Sequence, residues 1–201
     1  WTIYPDGTVV CQSVLLPRGN PLELLRLGYE LQLPANMGNV TYYGRGPEEN
    51  YADRKSGMPL GVYKTTARDS FFPYGRPQDC GNHEDTRWVA VTDDKGQGLL
   101  FGSVGAPFAF SAIPYTTTDL ILANHPVELP KTTDKTVLVL SSATRGLGGA
   151  SCGPGPMSRD IIKANKPYPL SFFMRPVTSK SYKGAVSYTH LRAHETDSYL
   201  V

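Results

Sequence analysis

Two adjacent carboxylates, Glu48 and Glu49, follow the strand-like segment NVTYYGR and suggest acid–base chemistry. A site that cleaves glycosides uses a pair of carboxylic acids about 5 to 9 Å apart across a sugar. Gly46 and Pro47 predict that a helix begins here, because proline suits the first helical position. Neighbouring side chains on a helix point roughly 100° apart. We therefore do not expect these two carboxylates to face one another across a substrate.

A second candidate is His83, which is followed by Glu84 and Asp85 and could act as a general base steered by a carboxylate. His125 is its only possible histidine partner before the C-terminal tail. The two histidines fall in different predicted loops and share no sequence motif. The alternative is that His83 is a structural histidine, hydrogen-bonded in the core or at the surface.

The segment TRGLGGASCGPGP is the best candidate for contact with a ligand. Its glycines allow close backbone approach and unusual dihedral angles, and Ser151 and Cys152 supply its polar tips. Gly148, Gly149, Ser151 and Cys152 are the predicted binding residues. A purely structural turn is the alternative. For Asp53 and Arg54 we expect a structural ion pair or a helix-end contact.

The three cysteines, Cys11, Cys80 and Cys152, form no CxxC pair and have no metal-ligand spacing with histidine. They predict neither a disulfide framework nor a zinc site. The pair Asp93-Asp94 lacks the alternating oxygen ligands of a calcium loop, and a hairpin turn explains it. Such cysteine usage fits a cytoplasmic enzyme and does not exclude a periplasmic one.

Charge and hydropathy argue against two classes of partner. The chain has 20 basic and 18 acidic residues, and it has no Lys/Arg cluster that would follow a phosphate backbone, so we expect no nucleic acid. It also has no apolar run of the roughly 18 to 20 residues that would span a bilayer, so we expect no membrane. The opening WTIYPDGTVV reads like the middle of a strand, which suggests a start cut from a longer chain.

From Trp1 to about Pro176, strand-like runs alternate with turn clusters, a pattern typical of a large antiparallel two-sheet β-sandwich. Asp93-Asp94-Lys95-Gly96 predicts a hairpin between two of these strands. Short helices are expected at about Pro47 to Asp53, Thr116 to Ala123 and Ser158 to Asn165. The predicted strands are TVVCQSVLL, RLGYELQL, NVTYYGR, GVYKTT, TRWVAVT, GLLFGS, FAFSAIP, KTVLVLSS and PLSFFMRP.

We expect residues 1–180 to form one domain and residues 181–201 to be a non-native or disordered tail. Within that tail, residues 186–201 (VSYTHLRAHETDSYLV) resemble, back-translated in one frame, the transposon end and adapter of a sequencing library. A short amphipathic helix, LRAHETDSYL, is the alternative. Such segments are set aside before the fold is considered.

Four blocks carry a resemblance to a known family. Residues 26–54 contain GRGPEENYADR, residues 73–91 contain RPQDCGNHEDTRW, residues 108–129 run from FAFSAIP to HPVEL, and residues 137–156 contain the GLGG loop. In this order they resemble the C-terminal β-sandwich domain (domain 5, or small chain) of glycoside hydrolase family 2 β-galactosidases. The resemblance covers most of the first 180 residues.

The resemblance implies a galactose mutarotase-like supersandwich that shapes the edge of a galactoside site, with the catalytic carboxylates in a separate barrel. It also implies a parent that often uses Mg and Na, bound mainly outside this chain, and that is a homo-oligomer. An aromatic residue near the GLGG loop stacks on sugar in family members, whereas Cys152 stands there in this sequence. Two other functions remain open: a carbohydrate-binding module with exposed aromatic residues such as Tyr42 and Tyr43, which alternation places on opposite faces, and a mutarotase-like epimerase.

Overall fold

The computed structural model describes residues 1–19, 24–149 and 152–179, which form two antiparallel sheets. The larger sheet has, in spatial order, β1 (Thr2–Ile3), β2 (Val9–Leu15), β11 (Tyr168–Val177), β8 (Gly98–Ser103), β7 (Trp88–Thr92), β4 (Asn39–Arg45) and β5 (Leu60–Thr66). The smaller sheet has β3 (Arg26–Pro34), β10 (Lys135–Thr144), β9 (Phe108–Ile113) and β6 (His83–Thr86). The prediction of an all-β sandwich is confirmed.

The core lies between the two sheets, where the apolar face of each strand points inward. On β4, Val40 and Tyr42 are buried at 1% exposure, and on β10, Leu138 and Leu140 are fully buried. The rings of Tyr42 and Phe110 meet edge to face at 5.0 Å. Burying each such side chain contributes roughly 1.5 to 3 kcal/mol. Burial alternates along β4 as the sequence pattern predicts, whereas β10 has six consecutive buried residues and so buries both faces.

The helices are fewer and shorter than predicted. α1 (Thr117–Leu122) confirms the expected segment Thr116 to Ala123, and it begins with a capping box in which Thr116 and Asp119 satisfy each other's backbone amides. The segment expected from Ser158 to Asn165 forms only a 3₁₀ turn, Ser158–Asp160. A second 3₁₀ turn spans Pro126–Glu128.

The run TRWVAVT, predicted as one strand, is divided between the two sheets. Thr86 ends β6 in the smaller sheet, and Trp88 begins β7 in the larger sheet. Arg87 lies between these two strands, and its backbone amide donates to Tyr43 O of β4, in the larger sheet, at 2.8 Å. Its carbonyl accepts from the Ser103 amide at 2.8 Å. The predicted hairpin between β7 and β8 is confirmed, with Thr92 paired to Gly98.

Residues 181–201, including the adapter-like segment 186–201, lie outside the described residues, so both expectations about the tail remain predictions. In the part of the chain that the structure describes, no helix is long and apolar enough to cross a membrane.

The close contact between β3 and β10 generates a first prediction. Their pairing shifts register between Ser141 and Ala143, opposite Gly28, and a Cβ at Gly28 would overlap the carbonyl oxygen of Leu140. We expect Gly28→Ala to lower the free energy of unfolding by about 1 to 3 kcal/mol, because the strands must separate. Urea unfolding measures this change.

The matched control is Gly57→Ala, where a Cβ has no neighbour within 4 Å. Its free energy of unfolding should equal that of the unmodified chain. Equal stability of both variants would show that β3 and β10 do not approach as closely as described.

Candidate functional site: the glycine-rich loop and its anchor

The segment 46–54 is built around Asn50, which is fully buried. The Asn50 amide donates to Asn82 O at 2.7 Å, and Asn82 Nδ2 donates back to Asn50 O at 2.7 Å. The Asn50 side-chain amide donates to the carbonyls of Arg45 (3.1 Å) and Glu48 (2.9 Å). Its Oδ1 accepts from Glu84 N at 2.8 Å.

These bonds correct the expectation of a helix at about Pro47 to Asp53. The Asn50 amide and carbonyl, which a helix would use along its own axis, are both bonded to Asn82 in another part of the chain. The peptide bond between Gly46 and Pro47 is cis. The segment 46–54 is irregular and not helical, and it is called the anchor segment from here on.

The two adjacent carboxylates, Glu48 and Glu49, differ in their surroundings, and no helix contains them. Glu48 is exposed. Glu49 accepts hydrogen bonds from Tyr74 Oη, from Gly81 N at 2.7 Å and from Tyr51 Oη at 3.3 Å. The Glu49 carboxylate is thus occupied by donors of the domain itself, and it has the contacts of a structural residue.

Asp53 and Arg54 end the anchor segment, and both bind the glycine-rich loop, defined here as residues 145–156. Asp53 Oδ1 accepts from Leu147 N at 3.0 Å, and Oδ2 accepts from Gly148 N at 2.7 Å. Arg54 Nη2 donates to Gly148 O at 2.6 Å. Both residues therefore contact the loop, where the sequence suggested an ion pair or a helix end.

The pKa of the Asp53 carboxyl reflects these contacts. Partial burial raises this pKa. The amides of Gly148 and Leu147 and the nearby charge of Arg54 lower it by more, so the pKa of Asp53 lies below its ordinary value of 3.8. Hydrogen bonds to the charged form of a carboxylate stabilise that form. Asp53 is consequently ionised at neutral pH.

The described part of the loop folds back on itself in a tight turn. Gly149 N donates to Pro154 O at 2.8 Å, and Cys152 N donates to Gly149 O at 3.1 Å. Gly148 has φ of 61°, and a Cβ there would lie 2.5 Å from the carbonyl carbon of Gly155. Only glycine fits this position, because it combines left-handed backbone with close packing.

The structure brings Gly148, Gly149 and Cys152 into this one turn, whereas the fourth predicted residue, Ser151, lies outside the described residues. Cys152 is exposed, while Cys11 and Cys80 are buried at 2% and 0% exposure. Burial raises the pKa of the Cys80 thiol to about 11. Cys152 is therefore the thiol that solvent and ligands can reach.

His83 lies in β6, where the sequence predicted a loop, and it is buried at 4% exposure. Its Nδ1 lies 3.0 Å from Tyr42 Oη and 3.1 Å from Arg45 O. Its ring lies 4.4 Å from the Tyr42 ring and 5.2 Å from that of Phe110. Burial lowers its pKa to about 4. His83 is a neutral core residue at pH 7.

His125 has a different environment. It precedes the 3₁₀ turn Pro126–Glu128, its side chain is 70% exposed, and its Nδ1 lies 2.9 Å from Glu128 Oε1. The two histidines thus have separate partners, one in the core and one at the surface. The convergence in one cleft that an epimerase would require is not found.

Sequence reasoning missed the buried polar network around Glu84, which is 8% exposed. Glu84 Oε1 accepts from Thr144 Oγ1 and from Asn82 Nδ2, and Oε2 lies 3.4 Å from Lys55 Nζ. Asp85 pairs with Lys55 at 3.2 Å. Thr144 is 60 residues from Glu84 in the sequence, and Lys55 is 30 from Asp85, so no local pattern could indicate these contacts.

No group of three or more His, Cys, Asp or Glu side chains within residues 1–19, 24–149 and 152–179 is arranged to hold a metal ion.

A family model described as "Beta galactosidase small chain" matches residues 1–174. The chain belongs to this family. The β-galactosidase of Priestia megaterium is 34% identical over 179 residues, which are 88% of this chain and 17% of that protein. The β-galactosidase BgaC of Bifidobacterium adolescentis is 43% identical over 147 residues, 72% of this chain and 14% of that protein.

A shorter relative is the β-galactosidase small subunit of Latilactobacillus sakei, 40% identical over 159 residues, which are 74% of this chain and 49% of that subunit. The chain thus spans about a sixth of the first two relatives. It is a small-chain domain of the β-galactosidase family.

The buried imidazole of this small-chain domain generates a second prediction. The unfolded chain binds a proton on His83 below pH 6.5, whereas the folded chain resists protonation until about pH 4. Stability should therefore fall as pH drops from 6.5 towards 4, with a loss of about 3 kcal/mol from this group. Urea unfolding between pH 7.5 and 4.5 measures the slope.

The comparison variant is His83→Asn, which keeps a side-chain donor near the position of Nδ1 and removes the titrating group. Its stability should depend less on pH in this interval. An identical slope in both chains would place the lost stability on other groups.

Proposed function

We propose that this small-chain domain is a non-catalytic part of an enzyme that hydrolyses terminal β-D-galactosides. Its role is to shape the edge of the sugar site and to stabilise the enzyme, while the acid and nucleophile lie in another domain. The names of the relatives support the substrate class. The resemblance of the four sequence blocks supports the division of labour between domains.

The carboxylates of the domain support the non-catalytic role. Glycoside cleavage requires two carboxyl groups that face a cleft. Glu49 and Glu84 are engaged with Tyr74, Thr144 and other internal donors. Glu48 is exposed. The Glu49 and Glu84 carboxylates have contacts that hold the fold together.

The observation that carries the proposal is the glycine-rich loop, which combines exposure with a fixed base. Cys152 is exposed, while Asp53 and Arg54 hold Gly148 from both sides. Loops that bind ligands commonly project from a rigid scaffold in this way. We assign Gly148, Gly149, Ser151 and Cys152 to the edge of the galactoside site. A thiol offers little π surface, so contact here would be through close backbone approach and small polar groups.

No observation favours the rival functions. Tyr42 is buried in the core and Tyr43 lies on the opposite face of β4, near Arg87, so the two do not form the exposed aromatic row of a carbohydrate-binding module. The Mg and Na ions implied for the parent enzyme would, on this proposal, be held mainly by its other domains.

A third prediction concerns activity. The purified 201-residue chain should not release the chromophore from a nitrophenyl β-galactoside above the buffer blank, because the catalytic carboxylates are elsewhere. The complete enzyme serves as the positive control in the same assay. Turnover that copurifies with the folded chain would contradict the non-catalytic assignment.

A fourth prediction concerns the loop in the complete enzyme. Cys152→Trp should change the KM for a galactoside about threefold or more, while the melting temperature stays unchanged, because the side chain is exposed where substrate would pass. The control is Val127→Trp, since Val127 is 79% exposed on a 3₁₀ turn. An unchanged KM in Cys152→Trp would mean that the loop is a structural turn.

A further inference from the structure

We propose that Asp53 and Arg54 are positioning residues, which set the place of the glycine-rich loop at the galactoside site. The inference rests on the proposed function, because it gives the loop's position a role in substrate binding. Neither side chain needs to touch the sugar. Both act through the backbone of Gly148.

The contacts at Gly148 are complementary in charge and hydrogen bonding. The Asp53 carboxylate accepts from the Gly148 amide at 2.7 Å, and the Arg54 guanidinium donates to the Gly148 carbonyl at 2.6 Å. Bonds of this kind, with one charged partner, are shorter and stronger than neutral ones. They hold the two peptide groups that flank a residue with unusual conformational freedom.

The backbone before Gly148 also lies against Asp53. A Cβ at Gly146 would lie 2.8 Å from Asp53 Cγ and 2.9 Å from Asp160 Cβ. The Gly146 amide donates to Asp160 O at 2.8 Å, and the next amide, of Leu147, donates to Asp53 Oδ1 at 3.0 Å. Residues 146–148 therefore follow the surface of one carboxylate, and a larger side chain at 146 would push them away.

The anchor segment gives these exposed side chains a fixed base. Asn50 is fully buried and Tyr51 is 6% exposed, and the Arg54 amide donates to Tyr51 O at 2.8 Å. Asp53 and Arg54 themselves are exposed, so their bonds add little to the stability of the whole domain. A positioning role and a stabilising role consequently predict different results.

Asp53→Asn separates the two roles. It replaces one carboxylate oxygen with an amide donor, which would face a backbone N–H of the loop and cannot accept from it. Arg54→Ala removes the donor to Gly148 O, whereas Arg54→Lys keeps a positive charge and a donor. The lysine variant should therefore be impaired less than the alanine variant.

The first readout is kinetic and uses the complete enzyme. Asp53→Asn and Arg54→Ala should raise the KM for a nitrophenyl β-galactoside about fivefold and leave kcat within about twofold, because the loop contributes to binding and not to the chemical step. The matched control is Asp6→Asn, since Asp6 also accepts a backbone amide, that of Thr8 at 2.9 Å, in an exposed turn.

The second readout reports loop position without any substrate. In the 201-residue chain, the rate at which Cys152 reacts with a disulfide reagent should change about threefold or more in Asp53→Asn and in Arg54→Ala. The rate should not change in Asp6→Asn. Subtracting the rate of Cys152→Ser isolates this thiol from Cys11 and Cys80, and melting temperatures show that each variant is folded.

Changes in both readouts, with the smaller effect in Arg54→Lys, support the positioning role. If Cys152→Trp alters KM but Asp53→Asn and Arg54→Ala alter neither the thiol rate nor KM, the positioning role is overturned and the proposed function stands. If both variants alter the thiol rate while neither they nor Cys152→Trp alter KM, then Asp53 and Arg54 do set the loop position. The proposed function then fails, and the proposed role of the loop in substrate binding fails with it. If they alter the thiol rate but not KM while Cys152→Trp does alter KM, the positioning role in substrate binding is overturned.

Discussion

A buried carboxamide, Asn50, fixes the path of the chain as it leaves the larger sheet. Its side chain bonds the carbonyl of Arg45 at the end of β4. Its backbone carbonyl and its Oδ1 bond Asn82, just before β6, and Glu84, within β6. Each polar group left unpaired in such a site would cost about 1 to 3 kcal/mol. The two sheets are therefore joined here by hydrogen bonds as well as by the apolar core.

The position of the glycine-rich loop depends on these hydrogen bonds of Asn50. Because Asn50 holds the anchor segment, Asp53 and Arg54 emerge three and four residues later at defined positions on the surface. The partly buried ion pairs of Glu84 and Asp85 with Lys55 add further contacts next to the anchor segment. An exposed, glycine-rich loop can thus have a defined base without being buried itself, which is what a contribution to the edge of a shared site requires.

The strands could be predicted from sequence more fully than the site. The predicted run NVTYYGR has the bounds of β4, where buried and half-buried residues alternate, and GLLFGS has the bounds of β8, where three consecutive residues are buried. The helix expected at about Pro47 to Asp53 does not form, because the backbone amide and carbonyl of Asn50 bond Asn82 and are not available for helical hydrogen bonds. The contact of Asp53 with Gly148 joins residues 95 apart, and the crossing at Arg87 depends on Tyr43 and Ser103. Contacts of this kind are set by tertiary structure, which a local pattern does not contain.

A structure of the complete enzyme with a bound, unreactive galactoside analogue would test the central claim most directly. We expect atoms of Gly148, Gly149, Ser151 or Cys152 to lie within about 4 Å of the analogue or of a side chain that contacts it. We also expect the two carboxylates that flank the glycosidic oxygen to come from another domain. A sugar bound far from the loop, or a carboxylate of this domain beside the anomeric carbon, would contradict the account.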